Sequence, residues 1–210
     1  MKMNINPTRM ELLELKKKIG TAMRGHKLLK EKRDGLMKQF LSTIKEARTL
    51  REIIEEKLGM AFKSFIFASA DMRPEVMQEA LLYTSKKASL SVSTKNIMSV
   101  HVPEFDYKSE GDFLSYSLAT TSGELDGSLK IFSEVLEDMI KLAQIEHSAK
   151  LMAQEIEKTR RRVNALEYVF IPSMGETIKY ITAKLNEQER GTTAALMRVK
   201  SMIIEAEASL

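Results

Sequence analysis

Apolar residues recur at alternating steps of three and four over much of the chain, the spacing that holds one helical stripe against a partner in a coiled coil. The first seam reads Leu12, Leu15, Ile19, Ala22, His26, Leu29, Arg33, Leu36, Phe40, Thr43, Ala47, Leu50, Ile54 and Lys57, with ten of fourteen positions apolar. It resumes at Leu58, Ala61, Phe65, Ala68 and Met72 after a repeated step of four, a stutter that locally unwinds a supercoil. Asn6 before Pro7 reads as the helix start, with Asn6 as cap and Pro7 at the first helical position. Pro74 ends or interrupts the helix, because the residue before a proline is pushed out of α geometry. A continuous helix over residues 8 to 72 is on the order of 95 Å long at ~1.5 Å per residue. A compact domain of this chain length has a radius of gyration of only ~17 Å.

The second seam, Leu142, Ile145, Ala149, Met152, Ile156, Thr159, Val163, Leu166 and Phe170, is apolar at eight of nine positions. It continues through Met174, Ile178, Ile181, Leu185, Gln188, Thr192, Ala195, Val199, Met202 and Ala206, with Pro172 expected to kink the helix rather than stop it. Residues 125 to 140 are expected to belong to the same helix. Two long seams around a middle segment fold back most simply as an antiparallel pair.

Within that middle, residues 74 to 83 predict a short helix, and residues 88 to 102 alternate Ser, Thr and Val with period two, as a hairpin does. Leu90, Val92 and Thr94 share a face with Met98, Val100 and Val102 if the loop is Lys95-Asn96-Ile97, with Asn96 tolerating left-handed geometry. Residues 104 to 123, rich in Ser, Thr, Gly and acids, read as a connector. The expected fold is all-α dominated: a long, bent antiparallel two-helix coiled coil with a short helix and a small β-hairpin in the middle of the chain. It divides into a coiled-coil helix over 6–72, a middle region over 73–123, and a second coiled-coil helix over 124–208 kinked near Pro172.

Composition supports long helices, since only 9 Gly and 4 Pro punctuate the chain. Fourteen Met and no Trp point to seams filled by flexible thioethers rather than to one aromatic core. The absence of cysteine excludes disulfide and thiolate chemistry and fits a reducing compartment. The start, Met1-Lys2-Met3-Asn4, leads into no apolar run, so no secretory signal is expected. No stretch approaches the roughly 18 apolar residues of a membrane span. The net charge of +4 conceals an asymmetry: residues 1 to 60 hold 15 basic against 8 acidic residues, and residues 104 to 146 hold 3 against 10. Solvated helix faces account for such blocks, and so do two segments that meet different partners.

Candidate chemistry is sparse. Gly20-Thr21-Ala22-Met23-Arg24-Gly25-His26-Lys27 has the glycine spacing of a phosphate loop, yet His26 stands where the phosphate-binding Lys belongs and Lys27 where the Ser or Thr belongs. The segment also lies inside heptads rather than after a strand. The three histidines, His26, His101 and His147, have no second ligand at metal spacing, so neither a metal nor a cofactor is expected. His26 and Arg33 instead read as polar seam positions of the kind that fix register. Arg160-Arg161-Arg162 fans around the helix, which makes it a belt rather than a one-faced patch. Nucleic-acid binding lacks stacking aromatics and a recognisable module.

Three segments resemble the D subunit of the vacuolar and archaeal type rotary ATPases. They are Asn6-Pro7-Thr8-Arg9 with Glu11-Leu12; the run from Gly25-His26-Lys27-Leu28-Leu29-Lys30 through Glu31-Lys32-Arg33-Asp34-Gly35-Leu36; and the run from Glu155-Ile156-Glu157-Lys158 through Arg160-Arg161-Arg162 and Leu166-Glu167 to Pro172. The resemblance implies a non-catalytic central-stalk shaft whose paired termini enter a hexamer of catalytic and non-catalytic nucleotide-binding subunits. Its middle would lie near a small stalk subunit of the F type and a membrane-rotor adaptor, on the cytoplasmic face of the membrane. Rotation would couple ATP hydrolysis or synthesis in the hexamer to movement of H⁺ or Na⁺. Exposed ion pairs worth ~0 to 1 kcal/mol each break and re-form easily, so Arg9, Arg24, Lys27, Arg160, Arg161 and Arg162 are candidate exchangeable hexamer contacts. Leu90, Val92, Val100 and Val102 mark a hairpin face that either docks on the chain's own helices or, as a candidate regulatory hairpin, modulates the motor through a neighbour. The alternative is a free-standing coiled-coil scaffold, or a basic coiled coil that binds nucleic acid or a membrane surface.

Overall fold

The computed structural model describes residues 5–82, 85–112, 115–117 and 121–208. In chain order the elements are α1 (Arg9–Asp71), α2 (Pro74–Leu82), β1 (Lys87–Ile97), β2 (Val100–Glu110), α3 (Gly123–Ala165), a π-helical turn (Leu166–Phe170) and α4 (Ile171–Ala208). The chain is thus helix-dominated with one antiparallel hairpin in its middle. It divides into two compact units, one of Met1–Arg33 with Glu157–Leu210 and the other Asp34–Ile156.

Every position of the first seam from Leu12 to Met72 is buried or half-buried. The start of α1 differs from expectation. Thr8, not Asn6, caps the helix: its Oγ1 accepts the Glu11 N–H at 3.3 Å, and the Leu12 N–H bonds the Thr8 carbonyl at 3.0 Å. Thr8 followed by Glu11 is the spacing of a capping box, which holds helix formation back until Arg9. Pro74 opens α2 instead of merely closing α1, since a proline at the first helical position forfeits no bond.

In the unit Asp34–Ile156, α1 and α3 run antiparallel, fixed by the Arg51–Glu146 pair and by Lys57 Nζ donating to Asp138 Oδ2 at 2.8 Å. Two apolar clusters occupy it. Leu36, Met152 and Ile156 close on Val100 and Val102 of the hairpin, with Phe40, Ile97 and Leu151 around them. Ala68, Leu125, Met77 and Ala80 pack α1, α3 and α2 together, with Phe65, Met72, Tyr116 and Leu129 at the margin. Phe132 meets Phe62 and Phe65 edge-on, at 5.4 and 6.5 Å between ring centres.

The hairpin is longer than expected and turns elsewhere. Its strands are 11 residues each, so residues 104 to 110 belong to β2 and not to a connector. The rest of the expected connector includes residues 113–114 and 118–120, which lie outside the described residues, as does Tyr83 at the end of the expected short helix. The loop is the two residues Met98 and Ser99, both left-handed at φ 50° and 70°. That is the backbone that matches the twist of paired strands, although Asn and Gly are its usual occupants. Two contacts hold it. The Ser99 N–H donates to Asn96 Oδ1 at 2.8 Å, and the Met98 thioether lies where a Cβ on Gly35 would come within 2.7 Å of its methyl.

An even loop inverts the expected faces. Leu90 and Val92 oppose Tyr107 and Phe105, while Val100 and Val102 oppose Ile97 and Lys95. Leu90 and Val92 therefore lie on the face opposite Val100 and Val102, and the four do not form one apolar surface.

In the other unit, the first part of α1 pairs with the end of α3, the π turn and α4. Leu15, Val163 and Ile181 are almost fully buried, together with Thr159 and Thr177. Hydroxyl groups tolerate this because they bond their own helix: Thr177 Oγ1 donates to the Ser173 carbonyl at 2.7 Å, and Ser173 Oγ to that of Phe170 at 3.0 Å. Just before Pro172, where a kink is expected, the chain forms the π turn, in which the Ile171 N–H reaches back to the Leu166 carbonyl. The wider turn displaces Phe170 from the seam position assigned to it, leaving it 46% exposed.

Candidate partner-contact surfaces

All six cations singled out from the sequence belong to the unit Met1–Arg33 with Glu157–Leu210, and all six are exposed. They do not form one patch. Arg9 pairs with Glu189, which places it at one level of the helix pair, and His26 Nε2 lies 3.4 Å from Glu167 Oε2, which marks a second. Arg24 and Lys27 stand beside that second level, about 25 Å from Arg9 at 1.5 Å per residue. Arg160, Arg161 and Arg162 lie five to seven residues from Glu167, a further step along the same unit. Arg161 pairs with Glu157 one turn before it. Arg9 and Arg161 thus hold exposed partners that an incoming carboxylate can replace at small cost.

His26 is a half-buried seam residue, and the glycine-spaced segment around it is uninterrupted α-helix. A phosphate loop needs backbone N–H groups turned outward around the anion; here they point along the helix to its own carbonyls. Among the described residues no group of three or more His, Cys, Asp or Glu is arranged to hold a metal, and no helix is long and apolar enough to cross a membrane. A recess of about 290 Å³ in the unit Asp34–Ile156 is lined by Leu81, Lys86, Tyr107, Phe132 and Leu136 among others, with Tyr116 bonded to Asp126 at its side. Burial and that bond push the Tyr116 hydroxyl well above the usual tyrosine range.

The surface that sequence reasoning missed is on α4. Its seam was expected to continue in contact through Met202, but Gln188, Thr192, Ala195, Val199 and Met202 are all exposed; Ala206 lies outside the described side chains. The physical reason is lack of an opposing helix. Arg9 begins α1 and already pairs with Glu189, so no described part of α1 stands opposite residues 192–204. Leu196, Met197, Val199, Met202, Ile203 and Ile204 are each more than half exposed there. A signal for this was available in the lengths. The first long helix has 63 residues, whereas the second run has 43, 5 and 38 in its three parts, so an antiparallel pair must leave part of the second run unaccompanied. A second missed surface is the π turn, where Tyr168 and Val169 project with 72% and 59% exposure.

Comparison with known proteins gives these surfaces a context. Residues 11–201 match the family of the ATP synthase D subunit. Among relatives, the V-type ATP synthase D subunit of Clostridioides difficile strain 630 is 54% identical over 207 residues, covering 97% of this chain and 93% of that one. The protein of the same name from Clostridium botulinum strain ATCC 19397 is 49% identical over 215 residues and covers both chains completely. That from Acetivibrio thermocellus is 54% identical over 207 residues, with coverage of 97% and 93%. With nearly the whole length matched at this identity, the chain belongs to the ATP synthase D-subunit family.

Proposed function

We propose that the chain is the central rotor shaft of a V-type rotary ATPase, a non-catalytic subunit that couples ATP hydrolysis or synthesis in a surrounding hexamer to movement of H⁺ or Na⁺. The observation that carries this reading is the end of α4, where Leu196, Met197, Val199, Met202, Ile203 and Ile204 stay exposed because no described part of α1 accompanies them. An exposed apolar helix of this kind is unfavourable in water and is stabilised when a partner encloses it. Enclosure by a ring of similar subunits suits a stripe that is apolar on several sides, since each subunit of the ring then meets some of it.

The six cations serve at the hexamer as exchangeable contacts. Exposed ion pairs such as Arg9–Glu189 and Arg161–Glu157 re-form with little change in free energy, so a turning shaft is not trapped in one orientation. The unit Asp34–Ile156 meets the small stalk subunit and the membrane-rotor adaptor, on the cytoplasmic face, and its hairpin modulates the motor through one of these neighbours. The lack of cysteine makes a direct test practical. A single cysteine introduced by Lys108→Cys, labelled with a bead on a complex immobilised through its hexamer, should turn in steps when ATP is added. Steady ATP hydrolysis with a bead that stays still would refute the rotor role.

A further inference from the structure

The two outer edges of the hairpin are treated differently. In a hairpin closed by a two-residue loop the pair Ile97–Val100 exchanges both backbone bonds, and bonded and non-bonded pairs then alternate along the ladder. The outward-facing residues of β2 are accordingly His101, Pro103, Phe105, Tyr107 and Ser109. This edge is closed: Pro103 has no N–H, and the Phe105 N–H donates to Gln144 Oε1 of α3 at 2.9 Å. Pro103, Phe105 and Tyr107 are half-buried.

The outward-facing residues of β1 are Ala88, Leu90, Val92, Thr94 and Asn96, and all five are exposed. Five successive outward N–H and C=O groups stand in a proline-free strand. Such a row is a template for one more strand, which folded proteins usually block.

We propose that the outer edge of β1 receives an extended segment of a different subunit, added as a third strand antiparallel or parallel to β1. The side chains define the chemistry of that segment. Leu90 and Val92 are 50% and 62% exposed on the face that they share with half-buried Phe105 and Tyr107, so the incoming strand carries apolar residues at alternate positions there. The other face presents Lys87 and Lys95 with the small Ser89, Ser91 and Ser93 between them, and β1 has no carboxylate. Carboxylates near the two ends of the incoming strand complement these lysines. A second copy of this chain is the wrong occupant, because β1 against β1 brings lysines together without an acid between them. The proposal requires only that the chain works beside other subunits, and it is independent of whether the shaft turns.

Hydrogen exchange resolved to single amides tests it, on the isolated chain and on the complete purified complex. The amides of Leu90, Val92 and Thr94 should exchange freely in the isolated chain and on the order of 100-fold more slowly in the complex, while Ser91 and Ser93 are slow in both. Free exchange at Leu90, Val92 and Thr94 in the complex overturns the proposal, as does protection in the concentrated isolated chain that disappears on dilution, which assigns the edge to a second copy. Val92→Pro removes one outward N–H and leaves the β1–β2 ladder intact. It should abolish the protection of Leu90 and Thr94 in the complex; retained protection means that side chains rather than a strand cover the edge. The measurement on the unaltered chain decides the matter even if this variant does not fold.

Discussion

Two stretches of the second helical run carry the same kind of seam and meet opposite fates. Between Glu157 and Leu185 the apolar stripe lies against α1, and Val163 and Ile181 are almost fully buried. Between residues 192 and 204 an equally regular stripe faces outward, and Val199 and Met202 are more than half exposed. The two stretches differ in what stands opposite, not in pattern. A heptad seam reports that a helix wants a partner; whether the chain supplies that partner depends on where the other helix begins.

The largest test of this contrast is truncation of a buried seam residue. Ile181→Ala should lower the unfolding free energy of the isolated chain by about 2–5 kcal/mol, read from urea unfolding, because it removes packed methyl groups and leaves a cavity. The matching change beyond Glu189 should behave differently. Val199→Ser combined with Met202→Ser should alter the isolated chain by no more than about 0.5 kcal/mol, yet reduce its recovery in the purified complex. Equal destabilisation by both changes would erase the distinction between paired and unaccompanied seam.

A smaller effect concerns the hairpin loop. Ser99→Gly should stabilise the isolated chain by about 0.5–1 kcal/mol, since a non-glycine residue in left-handed geometry carries a steric cost. A thermal unfolding shift of the opposite sign would mean that the Ser99 side chain contributes more than its backbone costs. The smallest effect is electrostatic. The bond from Lys57 to Asp138, with the attraction between them, raises the Lys57 ammonium above its ordinary value of 10.5. A cation whose folded value is raised adds stability that is complete below the unfolded value and fades as pH rises through the folded one. Unfolding midpoints of the unaltered chain and of Lys57→Met should therefore converge only above about pH 10.5. Convergence already near neutrality would show that the pair adds nothing.

The helical framework was legible because its signal is local and repeated. Steps of three and four, two prolines near the ends of elements and a Ser/Thr/Val stretch between them are enough to expect α1, α2, the hairpin and the second long run. Details that depend on one residue of register were not legible. A loop of two rather than three residues moved Leu90 and Val92 to the face opposite Val100 and Val102. The outcome turns on Met98 and Ser99 adopting left-handed geometry that neither residue favours, held by Asn96 and by the room that Gly35 leaves for the Met98 thioether. The six cations all lie at the surface, and their distribution over separate levels follows from pairings such as His26–Glu167, between residues 141 positions apart.

The sequence by itself determined the periodicities: which residues form helices and which faces are apolar. Those properties rest on interactions between residues a few positions apart. The tertiary structure alone decided that α1 starts opposite Glu189, that Phe170 leaves the seam in a π turn, and that one hairpin edge is closed by Pro103 and Gln144 while the other stays open. Each is a question of which distant segment lies opposite, and the free energy that answers it comes from contacts that a local pattern does not contain.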